Sequence, residues 1–130
     1  MSTKANRERF LAHLKYWKKA LNLSNYTIEV SYNYEDVGGE CAMDHSSLTA
    51  VIRIGEVDEI WTEPVIARHE MLELLLEPMQ ALLFYEVHEN KSYRAGHEVV
   101  HRLEAILPLP SDKEVGYMPC GKKKKKPKGK

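Results

Sequence analysis

The sequence predicts an α+β fold: an N-terminal helix, a small three-stranded and mainly antiparallel sheet, then a long helix followed by one or two more. Three observations carry this. Phe10, Leu11, Leu14, Trp17 and Leu21 recur at helical spacing with basic residues between them. Tyr26, Ile28, Val30 and Tyr32 alternate strictly with Thr27, Glu29 and Ser31. Two later stretches, RHEMLELLL (68–76) and GHEVVHRLE (96–104), return to the helical period.

The first helix covers 5–21 and breaks at Leu-Asn-Leu-Ser-Asn, and the alternating run 26–32 is a half-buried strand. Gly38-Gly39 is a turn, ECAMD (40–44) a short strand, and LTAVIRI (48–54), rich in β-branched residues, a better-buried one. Thr62 can cap the second helix, with Glu63 and Pro64 in the first turn, where a missing N–H costs little. That helix runs to about Glu77; Pro78 kinks or restarts it, and MQALLFYEV continues helical to about Val87. HENKSYRAG (88–96) is a polar link, and the last helix covers 96–107, burying Val99, Val100, Leu103, Ile106 and Leu107 before PLPSD ends it.

A chain of 130 residues, 43% hydrophobic, makes one domain able to bury a core and a cleft. No apolar run approaches the ~18–20 residues of a membrane span, and MSTKANRER lacks the apolar stretch of a signal peptide, so no membrane partner and a cytoplasmic location are expected. Cys41 and Cys120 have no Cys-x-x-Cys spacing, which argues against a disulfide framework or a thiolate zinc site and for free thiols. The last ten residues, GKKKKKPKGK, hold seven lysines and no acid, so the preceding 120 carry 12 basic against 19 acidic side chains, a formal −7. The domain is therefore expected over 1–110, with 111–130 a disordered lysine-rich tail. That tail is either a non-specific nucleic-acid contact or a solubilising terminus.

The chemistry is concentrated in the two helical stretches. His69 and Glu73 stand one turn apart, about 40° from each other around the helix axis, at the margin of the stripe made by Met71, Leu72, Leu75 and Leu76. Glu70 lies between them. Two side chains one turn apart for an ion, with an intervening carboxylate for a water, is what a metal helix needs. His97 and His101 bear the same relation, with Glu98 between them, and only this stretch completes His-Glu-x-x-His. Taken singly, either pair can be a plain surface contact worth a few tenths of a kcal/mol. Two such clusters on helices that a link could bring together strengthen the metal reading. His13, His45 and His88 lack such partners and read as surface or loop residues, and Asp44 with His45 stands at a strand end.

The order LNLSNYTIEVSY, CAMD, LTAVIRI, VIARHEMLELLL, HEVVHRLEAIL resembles the small phage- and prophage-encoded metallopeptidases of the zincin class, close in layout to SprT-like and minimal gluzincin domains, over residues 8–107. The resemblance implies a bacterial host cytoplasm, His69 as first ligand, Glu70 as general base, Glu73 in the second-ligand position, and Glu98 or His97 as the third ligand from the late helix. The departure is Glu73, where the family has histidine. Zinc accepts carboxylates, but an added carboxylate makes the ion less electrophilic and admits harder ions such as Mn²⁺.

Three arrangements follow: a site on the first stretch, a site on His97 and His101 with Glu98 as base, or one merged site drawing on His69, Glu73, His97 and His101. The merged site is the favoured expectation. The expected activity is metal-dependent hydrolysis of a peptide lying along strand 48–54; the alternative is an inactive zincin-like module binding a host protein or, through its tail, nucleic acid.

Overall fold

The computed structural model describes residues 1, 3–44, 46–86 and 89–119, with side chains described outside 80–93. His45, His88, Cys120 and the lysine run 121–130, with the expectations attached to them, lie outside the described residues. The elements follow in order as α1 (Lys4–Ala20), β1 (Thr27–Ser31), β2 (Gly39–Asp44), β3 (Thr49–Ile54), α2 (Glu63–Glu86) and α3 (Glu89–Ile106). The α+β class and the helix, sheet, two-helix order are those expected from the sequence.

The Thr3 hydroxyl starts α1 by accepting the Asn6 N–H at 3.0 Å. The helix buries Phe10, Leu14 and Trp17, while Leu11, turned outward by one residue, stays 43% exposed. These side chains pack with Ala50, Ile52 and Ile54 of β3 and with Ile66, Ala67, Met71 and Leu74 of α2 in one apolar core. Helix α2 continues through Pro78 without the restart expected there. Pro78 removes the backbone hydrogen bond that the Leu74 carbonyl would otherwise accept, and its own ring lies exposed.

The sheet departs from expectation in order and direction. Its strands run β1-β3-β2, with β2 antiparallel to β3 and β1 parallel to β3, so it is mixed. The reason is burial. Ala50, Ile52 and Ile54 are each 2% exposed or less, and the strand that carries them takes the centre. Residues 48–54 therefore cannot offer the free edge expected for a peptide; the edges of the sheet are β1 and β2. The chain crosses from β1 to β2 over a tight pass in which Gly38 adopts φ +95° and a side chain on Gly55 would meet the Asp36 carbonyl at 1.8 Å.

Two further differences lie at the C-terminal end. The expected polar link 88–96 is helical from Glu89, and Ile106, assigned to the buried stripe of α3, is 71% exposed. Residues 111–117 are not a tail. They turn back on α1, where Asp112 accepts from Arg9 Nε at 2.9 Å and lies 2.8 Å from Nε2 of His13. His13, expected at the surface, is fully buried. Arg9 also reaches Glu63 at the head of α2 at 3.1 Å, so one network ties the chain's two ends to the central helix.

Asp112→Asn is expected to lower stability by roughly 1–3 kcal/mol in urea unfolding at neutral pH, because it removes the charged partner of a buried imidazole. Burial raises the Asp112 carboxyl pKa, but the bonds from His13 and Arg9 outweigh this and hold it below the ordinary 3.8. Its contribution is thus present above that value and lost as pH falls through the lower folded one. Wild type and variant are expected to converge in acid; equal midpoints at pH 7 would refute the role of this contact.

Candidate metal centre

Helix α2 enters the core with an apolar face, and the residues at its margin are polar ones that the fold does not release to solvent. His69 is 6% exposed and Glu70 1%. Trp61, just before the helix, packs edge-on against the His69 ring at 5.3 Å between centroids. Arg68 Nη1 donates to the Leu107 carbonyl at 2.7 Å, which fastens the end of α3 beside this turn of α2. The face of α3 brought to His69 carries His97, His101 and Glu104, at i, i+4 and i+7.

His69, Glu73 and His97 each place a donor atom within 4.8 Å of the other two, so that this group could hold a metal ion. His69 Nε2 lies 2.9 Å from Glu73 Oε2, and His97 Nδ1 lies 3.7 Å from that same oxygen. On its other side His69 Nδ1 meets Glu104 Oε2 at 2.8 Å. Flanked by a carboxylate at each nitrogen, the imidazole is drawn towards its doubly protonated form. Burial opposes this, but the bonds to Glu73 and Glu104 and the charge of Glu70 prevail, and the pKa rises to about 9. Burial likewise pushes the Glu70 carboxyl up to about 8, helped by the charge of Glu73 and opposed by His69. Glu70 Oε1 is buried and has no hydrogen-bond partner among the described atoms.

No family profile, curated protein or solved structure matches this chain.

Of the residues singled out from sequence, α2 and α3 bring His69, Glu73 and His97 together, three of the four donors expected of the merged arrangement. Glu98 does not take part: it is 63% exposed and pairs with Arg102 at 3.1 Å along the outer face of α3. The reason is register, since Glu98 is turned about 100° from His97. His101 stands beside the trio without entering it. Its ring stacks on His97 at 5.7 Å, and its Nδ1 lies 3.3 Å from Glu104 Oε1. Asp44 belongs to its own turn, accepting from the Ser46 hydroxyl at 2.7 Å.

Other residues of the site were not anticipated. Glu104 was legible in principle, as it falls on the same helical face as His97 and His101. Trp61 and Tyr34, which with His97 and His101 border a cleft of about 530 Å³, carry no such spacing signal. Gly39, Glu40 and Cys41 of β2 form another wall of that cleft. Cys41 is kept as a thiol: burial, then the charges of Glu70, Glu73 and Glu77, push its pKa to about 12.

The donor set fits a divalent ion. Two imidazoles and one carboxylate are a ligand type used by catalytic zinc, which keeps a fourth position open. With Glu98 turned away, the group offers two imidazoles and one carboxylate.

Proposed function

We propose that this chain is a metal-dependent peptidase of zincin type. The observation that carries the reading is the convergence of His69, Glu73 and His97 from two helices beside a buried, unpartnered carboxylate oxygen of Glu70. A divalent ion held by His69, Glu73 and His97 would supply Lewis acidity towards a water and a carbonyl. Zinc suits the two nitrogens; Mn²⁺ is the alternative.

The chain's own residues supply the rest. Glu70 is the general base: burial raises its carboxyl to about 8 in the ion-free protein, and a cation held by the group would lower it again, so that the carboxylate could accept a proton near neutrality. Glu104 fixes His69 by accepting from Nδ1, which turns Nε2 towards Glu73 and His97. The substrate lies along β2, the edge strand whose Gly39, Glu40 and Cys41 border the cleft, and adds to it by main-chain hydrogen bonds. Trp61 braces the His69 ring edge-on at the border of the cleft.

The test is elemental analysis of protein purified without chelator, followed by hydrolysis of a mixed peptide library. One divalent ion per chain is expected, with cleavage that a chelator abolishes and zinc restores. Protein that neither retains nor rebinds an ion, or cleavage indifferent to chelator, would sink this reading.

A further inference from the structure

Besides the histidines and Glu73, the cleft of about 530 Å³ is bordered by Gly39, Glu40 and Cys41 of β2, by Tyr34 from the pass between β1 and β2, and by Trp61 from the turn before α2. Metal chemistry gives Tyr34 no task and Trp61 only that of a brace.

Trp61 is set in place before any ligand arrives. The Asp58 carboxylate accepts the N–H of Ile60 at 2.8 Å and that of Trp61 at 2.6 Å, and the Asp58 N–H donates to the Trp61 carbonyl at 3.1 Å, which closes residues 58–61 into a turn. The ring itself rests edge-on against His69 at 5.3 Å. Gly39 supplies a stretch of wall without a side chain. A Cβ there would stand 2.7 Å from the Arg53 carbonyl oxygen and 2.7 Å from Cδ1 of Ile54, so the neighbouring strand β3 keeps the place bare. Tyr34 is tied to the same point of the sheet: its N–H donates to the Ile54 carbonyl at 3.4 Å, and Ile54 is the residue that pairs with Gly39.

We propose that Tyr34, Trp61 and the bare backbone of Gly39 form a specificity subsite for an aromatic side chain of an extended peptide, one that flanks the bond to be cleaved. The proposal rests on the peptidase reading of the cleft and adds to it the class of peptide. Side chains on one face of an extended chain stand about 6.4–6.8 Å apart. The Trp61 and His69 rings are closer than that, at 5.3 Å, so a side chain seated on Trp61 belongs to a residue next to the reacting bond and not to a remote one. Two rings and a backbone wall offer flat apolar contact, which an aromatic side chain fills with more area than an aliphatic one and with favourable ring-to-ring geometry. A basic side chain is served less well. Glu73 faces His69 and His97, and Glu40 is paired with Arg53 of β3, so both carboxylates bordering the cleft are already engaged.

The experiment offers short labelled peptides of Gly and Ser, with a single central Phe, Leu, Lys or Ala, to the full-length chain with zinc added and with chelator present. Binding is read by fluorescence anisotropy, hydrolysis by mass spectrometry, metal content by elemental analysis and folding by circular dichroism. The Phe peptide is expected to bind roughly 10–100-fold more tightly than the Ala peptide, through burial of its ring. Over the Leu peptide its margin is expected to be about 2–10-fold, through contact between rings. The order is expected with zinc and with chelator alike, because neither Tyr34 nor Trp61 holds the ion, and cleavage is expected at a bond adjoining Phe. Tyr34→Leu is expected to erase the margin of Phe over Leu with zinc content unchanged, whereas Trp61→Phe, which keeps a ring, is expected to retain it. Phe-selective binding without hydrolysis in zinc would sink the peptidase reading and leave the subsite standing. The subsite itself is overturned if no peptide binds in either state, if Leu or Lys is preferred to Phe, or if folded Tyr34→Leu keeps the full preference.

Discussion

Glu70→Gln is expected to leave the ion in place and to lower peptide hydrolysis by roughly 10²–10⁴-fold, since the amide keeps the shape of the side chain but cannot accept a proton. Metal content and turnover, measured on the same preparation, separate the two effects. A second readout distinguishes a base from a mere filler. The fold raises the Glu70 pKa from 4.5 to about 8, so its protonated form is the one the fold favours. Stability of the chelated protein is then full below 4.5 and falls as pH rises through 8. Removing the titrating group removes that part of the slope, and the variant is expected to gain on wild type at alkaline pH. Undiminished turnover in Glu70→Gln would place the base elsewhere.

The second large effect concerns the ligands, where substitutions along two helices are expected to fall into three grades. His69→Ala and His97→Ala each delete one of three donors and are expected to strip the ion during dialysis. Glu104→Gln, which keeps His69 in place but weakens its outer bond, is expected to cost ~10–100-fold in affinity against a competing chelator. Glu98→Ala, on the solvent face, is expected to change nothing. Loss of the ion in Glu98→Ala, or its retention in His97→Ala, would show that α3 presents a different face to the site.

Sequence made the elements legible where one side chain's surroundings are set by near neighbours. The alternation through Ile28 and Val30 and the stripe of Phe10, Leu14 and Trp17 are local signals, and each marked its element. Pairing is different. Nothing within LTAVIRI states that it lies between the other two strands, and its high apolar content read as burial without saying where. His13 was misread because its partner, Asp112, is 99 residues away. The start of α3 was missed because Glu89–Arg94 shows no apolar stripe, although Glu, Lys and Arg are good helix formers. At the site, the one-turn spacing of His69 and Glu73 and the choice of α3 as partner were readable. Whether His97 or Glu98 faces inward depended on a rotation that only packing against α2 decides.

The divided origin of the three donors has a bearing on stability. Glu73 sits in the middle of α2 and His97 near the middle of α3, so an ion bound to both closes the intervening chain as a cross-link does. Such a clip restricts the unfolded chain most when the closed loop is long, and its effect grows with the free concentration of the ion, reaching about 2.7 kcal/mol at a hundredfold excess over the dissociation constant. The fraction of folded molecules would then track the supply of metal around them, and the helix pair that gathers the three donors would act as a gauge of that supply.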